Sequence, residues 1–145
     1  MALLLAFVIG LLALAFSGYL VYRILGLEKG TDKMEEIASA IREGAMAYLN
    51  RQYKTVAIFA LLIAIALYYF LGQVAAISFI LGAFFSALAG YIGMNISIRT
   101  NVKTAVAAKK GLKEALDVAF KGGTVTGMTV VGLGLLGVVA LYYYF

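Results

Sequence analysis

A chain of 145 residues with 64% hydrophobic and only 13% charged side chains is too apolar for the single soluble domain its length suggests, since soluble domains carry about 25% charge. Lipid must therefore be part of its solvent. The net charge is +5, and His, Cys, Trp and Pro are absent, which removes disulfides, triads built on His or Cys, and the usual ligands of zinc, haem and iron–sulfur clusters.

The charges fall in blocks, and the gaps between blocks define the elements. No charged residue occurs from Met1 to Tyr22. A helix rises about 1.5 Å per residue and the hydrocarbon core is about 30 Å thick, so roughly 20 residues cross it. The first gap predicts a transmembrane helix over about 2–23. It holds twelve Leu, Ile, Val or Phe residues, whose insertion contributes at most roughly −4 to −7 kcal/mol. Ala13-Leu14-Ala15 mimics a signal-peptide cleavage site, but a basic leader is missing and the apolar run continues beyond it, which favours a retained helix.

A charged loop follows over about 24–53. Met34, Ile37, Ala38, Ile41, Ala45, Tyr48, Leu49 and Tyr53 recur at three- and four-residue steps and line one face of a helix. Asp32 followed by Glu35 has the spacing of a capping box, and Gly30 closes what precedes it. The loop is thus a helix from about 32 that continues almost unbroken into the next crossing. Glu35, Glu36, Arg42, Glu43 and Arg51 are expected on a solvated face with i,i+4 pairing, the sharper alternative being a face packed beneath other parts of a larger protein.

The next uncharged run, Thr55 to Ile98, is 44 residues long and makes two crossings, about 54–71 and 75–98. Leu71-Gly72-Gln73 places a Gly and an amide at its middle and is the expected turn. The second charged loop, about 99–122, sets six basic residues against Glu114 and Asp117. Contact with anionic headgroups explains that excess more simply than attraction of an anionic substrate, and without interleaved aromatic residues nucleic acid is not an expected partner. The run from Gly122 to Phe145 supplies the fourth crossing, about 123–144.

All twelve Lys and Arg lie in the two loops or, as Arg23 and Lys54, at the edge of the first, so the positive-inside rule puts both loops in the cytoplasm and both termini outside. Tyr68, Tyr69 and Tyr142, Tyr143, Tyr144 then mark the outer interface, and Tyr19 and Tyr22 the inner one. The expected fold class is an all-α membrane protein of four transmembrane helices with two helical cytoplasmic loops, one membrane region spanning 1–145. Its crossings carry small residues rather than chemistry. Gly82, Ser86 and Gly90, with Ala83 and Ala87 beside them, form one row; Gly123, Gly127, Gly132, Gly134 and Gly137 mark the last helix; Ala6, Gly10 and Gly18 mark the first. Such rows let helix backbones approach closely. With no ionisable residue inside a crossing, the chain lacks the proton relay or cation ligand of a transport path, and a four-helix multidrug exporter is disfavoured.

Particular strings resemble the membrane-bound, ion-pumping inorganic pyrophosphatases. They are Gly30-Thr31, Glu36-Ile37-Ala38, Ala40-Ile41-Arg42-Glu43-Gly44-Ala45, Tyr48-Leu49, Arg51 and Tyr53 in the first loop. The third helix adds Leu81-Gly82-Ala83, Ser86, Ala89-Gly90 and Gly93-Met94, followed by Asn101-Val102, Thr104-Ala105 and Ala107-Ala108. Ala119-Phe120, Gly122-Gly123, Gly127 and Gly132 complete the pattern across nearly the whole chain. Lys103 stands where the family usually has Arg, Tyr48 where Phe is common, and Asn95-Ile96-Ser97 is more polar than the family pattern.

The resemblance implies the first quarter of a sixteen-helix homodimeric pump that hydrolyses pyrophosphate with Mg2+ on the cytoplasmic side and drives H+ or Na+ outward. It implies a multi-pass protein of the cell membrane, with K+ dependence open. The family's Asp- and Lys-rich substrate motifs lie on later helices, so no catalytic, cofactor-binding or metal-binding residue is assigned in this chain. Its helices resemble the outer ring that braces the core, and its ending on an apolar helix at Tyr144-Phe145 fits a piece of a longer protein. The alternative is a stand-alone four-helix membrane scaffold without catalysis. Seven scattered acids, five of them in one loop, are few for the several carboxylates that metal-bound pyrophosphate requires.

Overall fold

The computed structural model describes all 145 residues as four helices: α1 Ala2–Leu25, α2 Asp32–Leu71, α3 Gln73–Ala108 and α4 Leu112–Tyr144. All four are long and apolar enough to cross a membrane. Three exceed the need: at about 1.5 Å per residue α2 is roughly 60 Å long, so it extends well beyond the hydrocarbon at the Lys- and Arg-rich end.

The charged segments are therefore mostly continuations of the crossings. The expected unbroken passage into the second crossing is present, and α2 runs through it without interruption. The stretch 99–122 is helical as expected, but its helices are continuations of the crossings on either side. Helix α3 continues to Ala108 and α4 begins at Leu112, leaving a turn of Lys109, Lys110 and Gly111. A charged helix can project into water as readily as a loop, so charge alone marks the membrane boundary and not the helix end. Helix α3 also starts earlier than expected, at Gln73, because the turn at the middle of the long run is a single residue, Gly72. Gly72 has φ +90° and Gly111 φ +154°, backbone conformations that a Cβ disfavours.

The cap of α2 lies one residue earlier than the Asp32 expectation. Thr31 is the N-cap, and its Oγ1 accepts from the Met34 N–H at 3.4 Å, while Glu35 Oε1 accepts from the Gly30 N–H at 3.3 Å. Asp32 sits in the first turn, where its charge complements the helix dipole. The expected i,i+4 pairing of α2 is also absent: its ion pair joins Lys33 to Glu36, three residues on, at 2.8 Å. The apolar face of its first half divides. Leu49 is buried and Met34, Ala38, Ala45 and Tyr53 half-buried, whereas Ile37, Ile41 and Tyr48 stay exposed.

The helices alternate in direction and stand in a row ordered α2, α3, α4, α1, rather than closing into a bundle. The contacts join α2 to α3, α3 to α4 and α4 to α1; α1 only grazes α3, and α2 reaches neither α1 nor α4. An apolar core of Leu20, Ile24, Ile96 and Val125 forms where α1, α3 and α4 meet, with Ile24 and Val125 wholly enclosed.

Candidate functional site

Two polar arrangements and two grooves are the features from which function could be built. The first arrangement lies inside the membrane region. Ser17 of α1 and Thr129 of α4 place their hydroxyl oxygens 2.8 Å apart, and both oxygens lie near the Val125 carbonyl, at 3.2 and 2.8 Å. All of these groups are buried, and no buried side-chain polar atom in the chain lacks a partner. A hydroxyl pair satisfied in this way bridges helices but has no charge with which to carry an ion.

The second arrangement lies at the basic end. Lys103 of α3 donates to the carbonyls of Leu27 at 2.7 Å and Glu28 at 3.1 Å, holding the segment that leaves α1. Lys110 pairs with the Glu28 carboxylate at 2.9 Å and holds that carboxyl below its ordinary range, by hydrogen bond first and charge second. Glu28, Glu114 and Asp117 share a groove of about 350 Å³ with the two lysines. Asp117 is drawn to Lys121 on its own helix. No group of three acidic side chains stands close enough to hold a metal ion. Glu28 and Asp117 are each engaged by a lysine, so this end holds exposed structural ion pairs.

Close packing is real, but its members differ from the expected rows. A Cβ on Gly132 would lie 2.7 Å from Leu14 Cδ2 and 3.0 Å from the Gly10 carbonyl, so α1 and α4 cross backbone to backbone there. A Cβ on Gly93 would meet Thr126 at 2.7 Å, and one on Gly122 would meet Thr100 at 2.6 Å. Threonine from each of α3 and α4 thus fills a glycine notch on the other. Gly137 likewise receives Phe85. Of the expected rows, Gly10, Gly132 and Gly137 are in contact, whereas Gly18, Gly82, Gly123, Gly127 and Gly134 face open space. Gly90 is approached only by the Tyr53 hydroxyl, which donates to the Ala87 carbonyl at 3.0 Å. A four-residue step identifies a stripe, but several stripes share one helix, and the neighbour's bulk decides which is used. Residue size was the missing signal: Thr100 and Thr126 stand opposite the used glycines.

Three of the open glycines, Gly82, Gly123 and Gly134, line two grooves along the α3–α4 seam. One, about 300 Å³, runs past Gly82, Ser86 and Gly134; the other, about 440 Å³ and nearer the basic end, passes Ser97, Asn101 and Gly123.

Four antiparallel apolar helices with uncharged crossings, glycine–threonine notches and basic extensions at one end define a multi-pass membrane protein. Residues 11–145 match the family described as inorganic H+ pyrophosphatase, and the chain belongs to that family. It is 49% identical over 137 residues to a K+-insensitive pyrophosphate-energized proton pump of Moorella thermoacetica, covering 94% of this chain and 20% of that protein. A proton pump of the same description from Methanosarcina mazei is 47% identical over 92% of this chain and 20% of its own length. A relative from Clostridium tetani, named as a pyrophosphate-energized sodium pump, is 43% identical over 94% of this chain and 20% of its own length. The chain thus spans about a fifth of the length of these relatives.

Proposed function

We propose that this chain is the N-terminal, outer-ring segment of a membrane pyrophosphatase that couples pyrophosphate hydrolysis to outward movement of H+ or Na+. The observation that carries this is the family match over nearly the whole chain, joined to a coverage of one fifth of each relative. The segment's own part is mechanical. Its uncharged crossings, interlocked at Gly132, Gly93 and Gly122, brace neighbouring helices against displacement. Chemistry belongs to the remainder of the pump. Mg2+ would neutralise pyrophosphate charge there, but the acids of this segment do not fit the ion, since no three of them stand close enough to hold it. K+ dependence and assembly as a homodimer are family properties that would also be set outside these helices.

The twelve Lys and Arg at one end favour a cytoplasmic location for that end, with both termini outside, in the cell membrane. Sequencing the gene beyond codon 145 and expressing the whole protein tests the proposal. Inverted vesicles containing it should release phosphate from pyrophosphate with Mg2+ and acidify or accumulate Na+. The 145-residue chain alone should do neither. A stop codon at 146, or a whole protein without pyrophosphate hydrolysis, would leave the four helices as a stand-alone scaffold.

A further inference from the structure

Helices α2 and α3 leave a hollow between them. It is an apolar groove of about 420 Å³, walled by Leu61 and Phe84, and every residue that lines it is hydrophobic. Alanine stands on both helices there, Ala60 and Ala64 on one and Ala87 on the other, so the facing side chains are too short to fill it. Tyr53 lines its end nearest the Lys- and Arg-rich side, with its ring 6.4 Å from that of Tyr91. The lining stops at Ala64 and Ile80, well short of the Gly72 turn.

Depth and width decide what fits. Tyr53 to Ala64 is about 16 Å of helix. That is half of a hydrocarbon core about 30 Å thick, or one leaflet. Spread over this depth, 420 Å³ gives a section of about 26 Å². A helix about 10 Å across needs roughly three times that section, and it must continue through both leaflets. An extended acyl chain is narrow and ends near the midplane.

Hydrocarbon alone would admit any lipid, but the charge at the mouth selects among them. Lys54 shares a stripe of α2 with Ala57 and Leu61, at steps of three and four, which places it at the mouth of the groove. It is exposed and belongs to none of the ion pairs, which use Lys33, Lys110 and Lys121. No Asp or Glu occurs from Gly44 to Lys113, so the hairpin brings Arg51, Lys54 and Arg99 toward the headgroups with no acid of its own to balance them. Unbalanced positive charge at that level favours a headgroup of net negative charge over a zwitterionic one.

We infer that the α2–α3 groove is a site for an anionic phospholipid of the leaflet at the basic end. One acyl chain lies between Tyr53 and Ala64, and the headgroup phosphate is held at Lys54. The site requires only α2 and α3 and is independent of the pump reading.

The test uses the whole protein in phosphatidylcholine vesicles containing phosphatidylglycerol with a diazirine midway along one acyl chain. Phosphatidylcholine carrying the same diazirine is the comparison. After irradiation, mass spectrometry should find the segments Ala57–Leu61 and Ile80–Ala87 marked about fivefold more by the anionic probe, and α1 around the exposed Leu12 marked equally by both. Lys54→Gln should lower anionic labelling of the groove about fivefold, the weight of one basic residue near an anionic surface. Ala57→Leu, which fills the groove from an exposed position and keeps the charge, should lower labelling by both probes there. Equal marking of the groove by the two lipids, or marking indifferent to Lys54→Gln, reduces the occupant to ordinary boundary lipid and overturns the site. An unmarked groove overturns it as well, since something other than lipid then fills it.

Discussion

Ser17 and Thr129, 112 residues apart in the chain, share a buried hydrogen bond of 2.8 Å between their hydroxyls. Thr129 also bonds to the Val125 carbonyl one turn back, and Ser17 lies 3.2 Å from the same oxygen. Two hydroxyls have two protons, so three contacts cannot all be made at once. Thr129 donating to its own helix and Ser17 donating to Thr129 satisfies both helices, and the carbonyl provides the alternative. In lipid, where helices gain little from hydrophobic association, such a bond is one of the few directional ties between α1 and α4.

Ser17→Ala should therefore weaken the α1–α4 contact by about 0.6–2 kcal/mol, the range for interhelical hydrogen bonds in membranes. The double variant with Thr129→Ala should cost less than the sum of the two single changes, since both remove one bond. Denaturation in mixed micelles measures this; strict additivity would show that the hydroxyls do not interact.

Gly132 and Gly127 provide a matched pair of substitutions on one helix. A Cβ at Gly132 meets Leu14 and the Gly10 carbonyl below normal contact distances, whereas one at Gly127 meets nothing within 4 Å. Overpacking costs about 1–3 kcal/mol. In the 145-residue chain Gly132→Leu should lose that much stability, and Gly127→Leu should lose little beyond its altered helix propensity. The same comparison in the whole protein should find Gly127→Leu harmful as well if the open side is covered there.

The Glu28–Lys110 pair sets a pH dependence at the basic end. The lysine holds the Glu28 carboxyl below its ordinary value, so Glu28 is more acidic in the folded chain than unfolded. The contribution is complete above the ordinary carboxylate range and disappears as pH falls through the lowered value. Lys110→Gln should return the Glu28 titration upward, as followed by carboxyl carbon NMR. The pair is exposed, so the effect should also shrink in high salt. An unchanged titration in the variant would mean that the pair does not form in solution.

Topology can be read with thiol reagents because the chain contains no cysteine. Gly72 needs its positive φ, which makes the neighbouring Gln73, exposed at the first turn of α3, the better site. Gln73→Cys should label from outside the cell, and Lys109→Cys, in the opposite turn, only after permeabilisation. Labelling of both from one side would contradict two crossings in the 44-residue run.

Much of this protein is determined by composition. Three uncharged runs, the middle one long enough for two crossings, separated by blocks holding every Lys and Arg, specify four crossings whatever their packing, because burying a charge in hydrocarbon costs more than any helix contact returns. The Gly72 turn was equally legible, since only glycine suits its φ among long apolar neighbours. The helix ends at 99–122 were not, because water accepts charged helix and charged loop alike. Nor could the sequence select Gly93, Gly122 and Gly132 from sixteen glycines. That choice depends on which side chain the neighbouring helix sets opposite, Thr126, Thr100 or Leu14, and so on the order of helices in the row. Insertion energy is summed residue by residue along one chain, but packing is a property of pairs, and only the tertiary structure decides the pairs.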